Sequence, residues 1–291
     1  MPTTTRRHAL TLAGLEVPVI EAAGAGDGPR LVVIAGVHGC EYASMAAVRR
    51  WASGLEDRDL RGRVVAVPVL NLPAFRARTP FVVPDDGKNL NRCFPGDPAG
   101  TLADRLAYAA FTELITGSDA LIDVHAGDMV EALELASAYG LGYVIRQEPG
   151  PDRAVGGSTS AAAAEAGIPA IIAEAGGCGL VERAAVDAHV RGLDRILAVL
   201  GMTGPAVPDG SPGPAHLRRF LWLRCADEGW WEPAVGPGEP VARGQVLGTV
   251  SSLDGARLLQ TITAPAAGVP LFVTSSPAVA ADGLLLGLGA T

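Results

Sequence analysis

Apolar runs alternate with amphipathic segments through the first two thirds of the chain. Several runs are apolar at successive positions, most clearly residues 31–35. This pattern is typical of strands that helices cover on both faces. The predicted strands are residues 7–20 (edge strands), 31–35, 63–70, 119–125, 141–145 and 168–174. Apolar positions at helical spacing predict helices that begin near Glu41 and that span residues 101–116, 158–166 and 181–200. This order of elements predicts an α/β fold in which a mixed, mainly parallel sheet is flanked by helices.

The composition of the chain changes after residue 201. Residues 202–213 are rich in proline and glycine, and short apolar runs punctuated by glycine follow them at residues 221–224, 229–231, 235–238, 245–250 and 261–265. We therefore predict an α/β domain over residues 1–201 and a smaller all-β domain over residues 214–291. The glycine-rich hairpins resemble those of biotinyl and lipoyl carriers. Such carriers need a lysine to bear the cofactor, but Lys88 is the only lysine in the chain and lies outside this region. The tail is therefore predicted to be a lid, a wall or an oligomer contact.

Length, composition and charge exclude several classes of protein. With 291 residues, 48% of them hydrophobic and 19% charged, the chain has enough apolar surface for a sizeable core. A net charge of -8 without a basic block argues against a nucleic-acid partner. No run approaches the ~18 consecutive apolar residues of a membrane span, and Glu16 and Pro18 interrupt the short stretch that would suggest an export signal. The four cysteines lack Cys-x-x-Cys spacing, which favours reduced thiols and a cytoplasmic location.

Residues 31–50 contain a candidate metal site. After the predicted central strand, Gly36 and Gly39 bracket His38 and permit a tight turn that brings the backbone close to a bound group. Glu41 then begins a helix, so His38 and Glu41 follow the carboxyl end of a strand, where open α/β sheets bind their ligands. An imidazole and a carboxylate three residues apart are a common half-site for zinc. The alternative is an ordinary turn histidine, because His-x-x-Glu also occurs by chance.

His125 is the candidate for the third ligand of this site. It ends the predicted strand 119–125, much as His38 follows the strand 31–35. Asp123 lies two residues earlier on the same face of the strand, where it would orient a ligand. The alternative is a strand-end histidine without a metal. Together with His38 and Glu41, His125 predicts a centre that holds one zinc ion.

Two further groups are candidates for the chemistry around this centre. Glu174 ends the predicted strand 168–174, where its carboxylate would take a proton from water, and the alternative is an exposed strand-end glutamate. Residues 71–100 form a long polar loop, and a loop of this length inside a compact domain is usually functional. Arg92 in this loop would either bind a carboxylate with two hydrogen bonds or donate to loop carbonyls.

The motifs of the chain, taken in order, resemble the succinylglutamate desuccinylase/aspartoacylase family of zinc carboxypeptidase-like enzymes. The resemblance implies the zinc-carboxypeptidase-like form of the α/β fold. It also implies His38, Glu41 and His125 as zinc ligands and Glu174 as the general base. The matching segments are GVHGCE at 36–41, NLNR at 89–92 with FPG at 94–96, DVH at 123–125, EAGG at 174–177 and the β-rich tail.

The same resemblance implies how a substrate is bound. Asn91 and Arg92 would clamp the α-carboxylate of the substrate, and the tail would narrow the cleft so that small acylated amino acids enter and polypeptides do not. Members of the family often carry an arginine, in the loop between Asn71 and Asn91, that polarises the scissile carbonyl. Here Pro80 stands near that position, and Arg78 is the nearest substitute.

The predicted function is zinc-dependent hydrolysis of the amide bond of a small N-acyl amino acid. One competing interpretation is a metallocarboxypeptidase that uses the same ligands on peptides, which the tail domain disfavours. Another is a non-catalytic, zinc-stabilised binding protein, which Glu174 argues against. The sequence leaves open the acyl group, the amino acid and the oligomeric state, a homo-oligomer included.

Overall fold

A computed structural model describes residues 3–126, 133–145, 156–205 and 213–290 of the chain. These residues form two compact units, one of residues up to 144 and from 156 to 214, the other of residue 145 and residues 215–290. Residues 206–212 of the predicted linker lie outside the described residues. Within the described part of the chain, no helix is long and apolar enough to cross a membrane.

A mixed sheet forms the centre of the first unit. The strands up to residue 174 are β1 (Thr4–Leu12), β2 (Leu15–Ala23), β3 (Arg30–Ala35), β4 (Arg63–Val67), β5 (Ala120–His125), β6 (Tyr143–Ile145) and β7 (Ala170–Glu174). Six of them form one sheet in the order β1-β2-β4-β3-β5-β7. β3 pairs in parallel with β4 and β5, and β5 pairs in parallel with β7, whereas β2 is antiparallel to β1 and β4. The predicted α/β fold with a mixed sheet is confirmed, and the strand predicted over residues 31–35 is interior.

Helices pack on both faces of this sheet. They are α1 (Tyr42–Ser53), α2 (Leu72–Ala77), α3 (Leu102–Ala110), α4 (Leu133–Tyr139), α5 (Thr159–Glu165) and α6 (Arg183–Val199). Val32 and Ile34 of β3 belong to a buried cluster that includes residues of α3 and α5. Leu31 and Val33 belong to a second buried cluster, with residues of α1, α4 and α6. Because successive side chains of a strand point to opposite faces, the two clusters are the two sides of one sheet, and β3 is covered on both.

The parallel register brings the candidate site residues to one edge of the sheet. Ala35, the last residue of β3, pairs with Val124 of β5, and His125 of β5 pairs with Glu174 of β7. The turn that carries His38 follows β3 directly. His38, His125 and Glu174 therefore lie at or just after the carboxyl ends of three neighbouring parallel strands, where α/β sheets bind their ligands.

The segment after β4 is more ordered than its composition predicts. β4 ends at Val67 rather than at residue 70, and α2 occupies part of the predicted loop 71–100. The Asn71 side chain caps α2 by accepting from the Ala74 N–H, and Pro73 lies in the first turn, where its missing N–H costs nothing. Residues 90–92 form a 3₁₀ turn in the same stretch. The loop interpretation was wrong for residues 72–77, because a proline that ends a strand also suits the start of a helix.

The second unit is all β. Its strands are β8 (Ala215–Leu217), β9 (Arg219–Arg224), β10 (Gly229–Pro233), β11 (Val246–Ser251), β12 (Leu258–Thr263), β13 (Gly268–Val273), β14 (Ala278–Val279) and β15 (Leu284–Ala290). They include two antiparallel sheets, ordered β12-β11-β10-β14 and β13-β15-β9. The strand predicted over residues 235–238 was wrong: these residues form a turn in which Gly238 has a φ of +84°. A left-handed backbone next to Pro237 favours a turn over a strand.

One close contact fixes the packing of α6 on α4. A Cβ added to Gly192 in α6 would lie 2.3 Å from Cε1 of Tyr139 in α4. The Tyr139 ring is buried, with 1% of its surface exposed, so it has little room to move. Gly192 therefore permits an approach that any side chain would prevent.

We expect Gly192→Ala to lower the free energy of unfolding by about 1–3 kcal/mol, because the added methyl group overpacks the Tyr139 ring. At a helix position with free space around it, Gly→Ala raises the free energy of unfolding by up to ~1 kcal/mol. A decrease for Gly192→Ala would therefore show the contact with the Tyr139 ring. Urea unfolding measures it. The control is Gly142→Ala, whose added Cβ has no neighbour within 4 Å. A stabilising effect of Gly192→Ala would contradict this packing.

Candidate metal centre

The turn between β3 and α1 places His38. Gly36 has a φ of +68°, in the left-handed region that other residues rarely adopt. A Cβ added to Gly39 would lie 2.5 Å from the Ala74 carbonyl oxygen, so the turn runs against the backbone of α2. The unusual backbone angles that the sequence predicts are present at Gly36, whereas the close approach at Gly39 is to the backbone of α2 rather than to a bound group. The His38 side chain between them is held at the edge of the sheet.

Glu41 lies between two histidines. It is the N-cap residue of α1, but its carboxylate makes no capping hydrogen bond to the helix. Instead Oε1 lies 2.7 Å from Nδ1 of His38, and Oε2 lies 2.9 Å from Nδ1 of His125. The Ala126 N–H also donates to Oε2, at 3.1 Å. The carboxylate is thus aimed across the end of β5 rather than into its own helix.

The outer nitrogens of both histidines face acceptors. Nε2 of His38 donates to Oδ1 of Asn89 at 3.1 Å. Nε2 of His125 lies 2.9 Å from Oδ2 of Asp123, a close contact between ring and carboxylate whose geometry is not that of a hydrogen bond. With hydrogen on these nitrogens, each neutral ring turns the lone pair of Nδ1 toward Glu41. A lone pair and a carboxylate oxygen at such distances repel each other unless a cation, a proton or a metal ion, lies between them.

Burial and charge oppose each other in this cluster. Burial alone would raise the pKa of Glu41, but His125 and His38 outweigh it and hold that pKa well below its usual range. Burial alone would lower the pKa of His125, but the carboxylates of Asp123 and Glu41 outweigh it and raise that pKa. The buried carboxylates therefore favour a positive charge at the position between Glu41 and the two rings.

The donor set fits a zinc ion. One atom from each of His38, Glu41 and His125 lies within 4.8 Å of the others. Two imidazole nitrogens and one carboxylate oxygen are a ligand set of catalytic zinc sites, which keep a further position for water or substrate. The three residues predicted from the sequence are thus brought together by the fold.

Glu174 borders the same cluster. Its Oε1 lies 4.0 Å from Nδ1 of His125, on the side of the ring that faces Glu41. The Glu174 side chain is 14% exposed and that of His38 is 11% exposed, whereas the side chains of Glu41 and His125 are 4% and 1% exposed. The centre is therefore closest to solvent at His38 and Glu174.

The predicted substrate-binding residues have different surroundings. Asn91 is buried, and its Oδ1 accepts from the Thr159 N–H at 3.1 Å. Arg92 is exposed, and its Nη1 donates to the Asn91 carbonyl at 2.7 Å, so a bond to a loop carbonyl, the alternative to carboxylate binding, is present. Arg78 is exposed, and its carbonyl accepts from the thiol of Cys40. Of these three, Asn91 is connected to the centre through Asn89, whose Oδ1 accepts from both the Asn91 N–H and His38.

Sequence reasoning missed three residues that contact this region. Asn89 belongs to the NLNR motif, but no role was predicted for it. Thr159 lies near the start of a predicted helix, and its sequence position does not distinguish it from other polar residues there. His189 of α6 is fully buried, with Nδ1 3.0 Å from the Tyr139 hydroxyl and Nε2 3.3 Å from the Ala175 carbonyl. Because a carbonyl only accepts, Nε2 carries a hydrogen, and burial lowers the pKa of His189 to about 4, so the ring is neutral at pH 7. The sequence did contain a signal for His189, because it is a histidine at a position of its helix where the spacing predicts an apolar residue.

Comparison with known proteins identifies the family. The catalytic-domain model of succinylglutamate desuccinylase/aspartoacylase matches residues 27–131. The chain is 30% identical over 249 residues to the N-alpha-acetyl-L-2,4-diaminobutyric acid deacetylase of Halomonas elongata, covering 77% of this chain and 71% of that protein. The chain belongs to the succinylglutamate desuccinylase/aspartoacylase family. This confirms the predicted family and, with it, the predicted class of enzyme, an amide hydrolase.

Solved structures share the fold of this family member over nearly its whole length. The product-bound ectoine utilization protein EutE (DoeB) from Ruegeria pomeroyi has a TM-score of 0.88 at 23% identity, covering 99% of this chain and 95% of that one. The succinylglutamate desuccinylase/aspartoacylase from Rhodobacter sphaeroides has a TM-score of 0.83 at 24% identity, with the same coverage. At these identities the likeness establishes the fold alone.

We expect the buried, neutral His189 to make stability fall with acid. Burial lowers its pKa from 6.5 to about 4, so the unfolded chain binds the proton more tightly. The stability that His189 contributes is complete above pH 6.5 and is lost as the pH falls from there toward 4, by at most about 3 kcal/mol. Urea unfolding between pH 7 and pH 4 measures this loss. His189→Gln should flatten the profile, and an unchanged profile in that variant would contradict the assignment.

Proposed function

We propose that this chain is a zinc-dependent deacylase that hydrolyses the amide bond of a small N-acyl amino acid. The observation that carries the proposal is the convergence of His38, Glu41 and His125 beside the carboxylate of Glu174, in a member of an amide-hydrolysing family. The name of the Halomonas elongata relative supports an N-acetylated amino acid as the substrate class.

His38, Glu41 and His125 would hold one zinc ion. Zinc at such a site supplies Lewis-acid chemistry, which polarises a carbonyl oxygen and makes water a stronger acid. The protein contributes the orientation of the donors: Asn89 and Asp123 face the outer nitrogens of the two rings, and the Ala126 N–H fixes Glu41. Such outer contacts set the tautomer of each ring and so direct Nδ1 inward.

Glu174 would move the proton. Its carboxylate lies at the more exposed side of the cluster, 4.0 Å from His125, where it would take a proton from the attacking water. The same group would then give that proton to the amine that leaves, so one residue serves both steps. General acid-base catalysis of this kind contributes about 10²- to 10⁴-fold to a rate.

Residues of the 71–100 segment would bind the substrate. Arg92, whose Nη1 donates to the Asn91 carbonyl, would hold the α-carboxylate through the paired N–H groups of its guanidinium. Asn91 already accepts a hydrogen bond at Oδ1, so its contribution to a carboxylate would come from its amide N–H groups. Arg78 would substitute for the arginine that often polarises the scissile carbonyl in this family.

We expect hydrolysis of N-acetyl amino acids, Nα-acetyl-2,4-diaminobutyrate among them, in an assay that detects the released amine. Glu174→Gln should lower kcat by about 10²- to 10⁴-fold because it removes the proton acceptor while keeping the size of the side chain. N-succinyl amino acids and dipeptides complete the panel. Dipeptides hydrolysed as fast as acylated amino acids would contradict the proposal in favour of a carboxypeptidase. Full activity of Glu174→Gln would refute the role of that residue.

We expect the purified protein to contain about one zinc ion per chain, as metal analysis would show. His125→Ala should weaken zinc binding by more than about 100-fold, because the loss of outer contacts to a ligand already costs 10- to 100-fold. His216→Ala is the matched control, since His216 is an exposed histidine of the second unit. Equal zinc affinity in His125→Ala and in the unchanged chain would show that the ligand set is wrong.

A further inference from the structure

A continuous chain of contacts joins the outer nitrogens of the two histidines. On the His38 side, Oδ1 of Asn89 accepts from His38 Nε2 at 3.1 Å and from the Asn91 N–H at 2.9 Å. Oδ1 of Asn91 then accepts from the Thr159 N–H at 3.1 Å. The chain thus reaches Thr159 through backbone and side-chain amides.

Thr159 also begins the other half of this chain. Its hydroxyl donates a short hydrogen bond to Oδ2 of Asp123, and the same oxygen lies 2.9 Å from Nε2 of His125. Thr159 is therefore the residue at which the two halves meet, with its N–H directed to the His38 side and its O–H to the His125 side. Both Thr159 and Asp123 are fully buried.

The Thr159 hydroxyl is not needed to begin α5. Ser158 is the N-cap residue of that helix, and its hydroxyl accepts from the Ala161 N–H at 3.1 Å. The hydroxyl of Thr159 is therefore directed at Asp123 alone. Among the described residues, Oδ1 of Asp123 has no hydrogen-bond partner, so Oδ2 makes the hydrogen bond that fixes the carboxylate. Loss of the hydroxyl would leave a buried carboxylate without that bond.

We propose that Thr159 is a positioning residue for the metal centre: its hydroxyl sets the orientation of the Asp123 carboxylate and, through it, the direction in which His125 points. Its N–H holds Asn91 at the same time, which links the segment proposed to bind the substrate to the residues proposed to bind zinc. This inference rests on the proposed ligand set of His38, Glu41 and His125. It adds a residue from a helix that contributes none of those ligands.

Thr159→Val tests the inference because it exchanges the hydroxyl for a methyl group of similar size and keeps the N–H. We expect zinc affinity, measured by competition with a chelator, to fall by about 10- to 100-fold, the usual cost of losing an outer contact to a ligand. Thr159→Ser, which keeps the hydroxyl, should bind zinc nearly as tightly as the unchanged chain. Thr112→Val is the matched control, since the Thr112 hydroxyl bonds the Tyr108 carbonyl at an exposed site.

A second measurement separates positioning from a general loss of structure. Thr159→Val keeps the N–H that holds Asn91, so we expect kcat to fall with little change in KM. Zinc-free Thr159→Val should still unfold cooperatively, at a lower thermal midpoint than Thr112→Val because its buried Asp123 carboxylate has lost a hydrogen bond. Unchanged zinc affinity in Thr159→Val, beside a parent that binds zinc, would overturn this inference alone. Equal losses of affinity in Thr159→Val and Thr159→Ser would also overturn it, and a parent that binds no zinc would overturn the proposed function as well.

Discussion

The central constraint of this structure is a buried carboxylate that two imidazole rings share. Both oxygens of Glu41 face an Nδ1 atom, at 2.7 Å and 2.9 Å, and the residue is only 3% exposed. A carboxylate is costly to bury unless positive charge or hydrogen bonds accompany it, and breaking such a group leaves an uncompensated charge. The cluster therefore tolerates burial because its three members are brought together, and the rest of the first unit serves to bring them together.

The parallel sheet accomplishes this with little backbone irregularity. β3, β5 and β7 are neighbours in register, so His125 and Glu174 are opposite each other without any special loop. His38 lies beyond the end of β3, in a turn where Gly36 supplies the left-handed backbone. Helices cover both faces of the sheet. Its carboxyl edge is therefore the place where polar side chains converge. Of the three candidate ligands, His125 lies at a strand end, whereas His38 and Glu41 lie between β3 and α1.

The sequence predicts the donors better than their supports, and there is a physical reason for the difference. A histidine between two glycines after an apolar run identifies a strand-end turn, so His38 and Glu41 are visible locally, as are His125 and Glu174 at the ends of their strands. Thr159 and Asn89 are not visible in this way, because a polar residue at a helix start or in a loop has the same appearance whether it faces water or a buried carboxylate. α2 was missed for a related reason, since Pro73 suits both a chain break and a first helical turn.

The uneven exposure of the cluster has a consequence for the exchange of ligands with solvent. The side chains of His38 and Glu174 are more exposed than those of Glu41 and His125, so a metal ion bound by the proposed ligands would be closest to solvent beside His38 and Glu174. If the three proposed ligands hold a metal ion, a product bound at Glu174 would therefore slow the exchange of that ion with solvent.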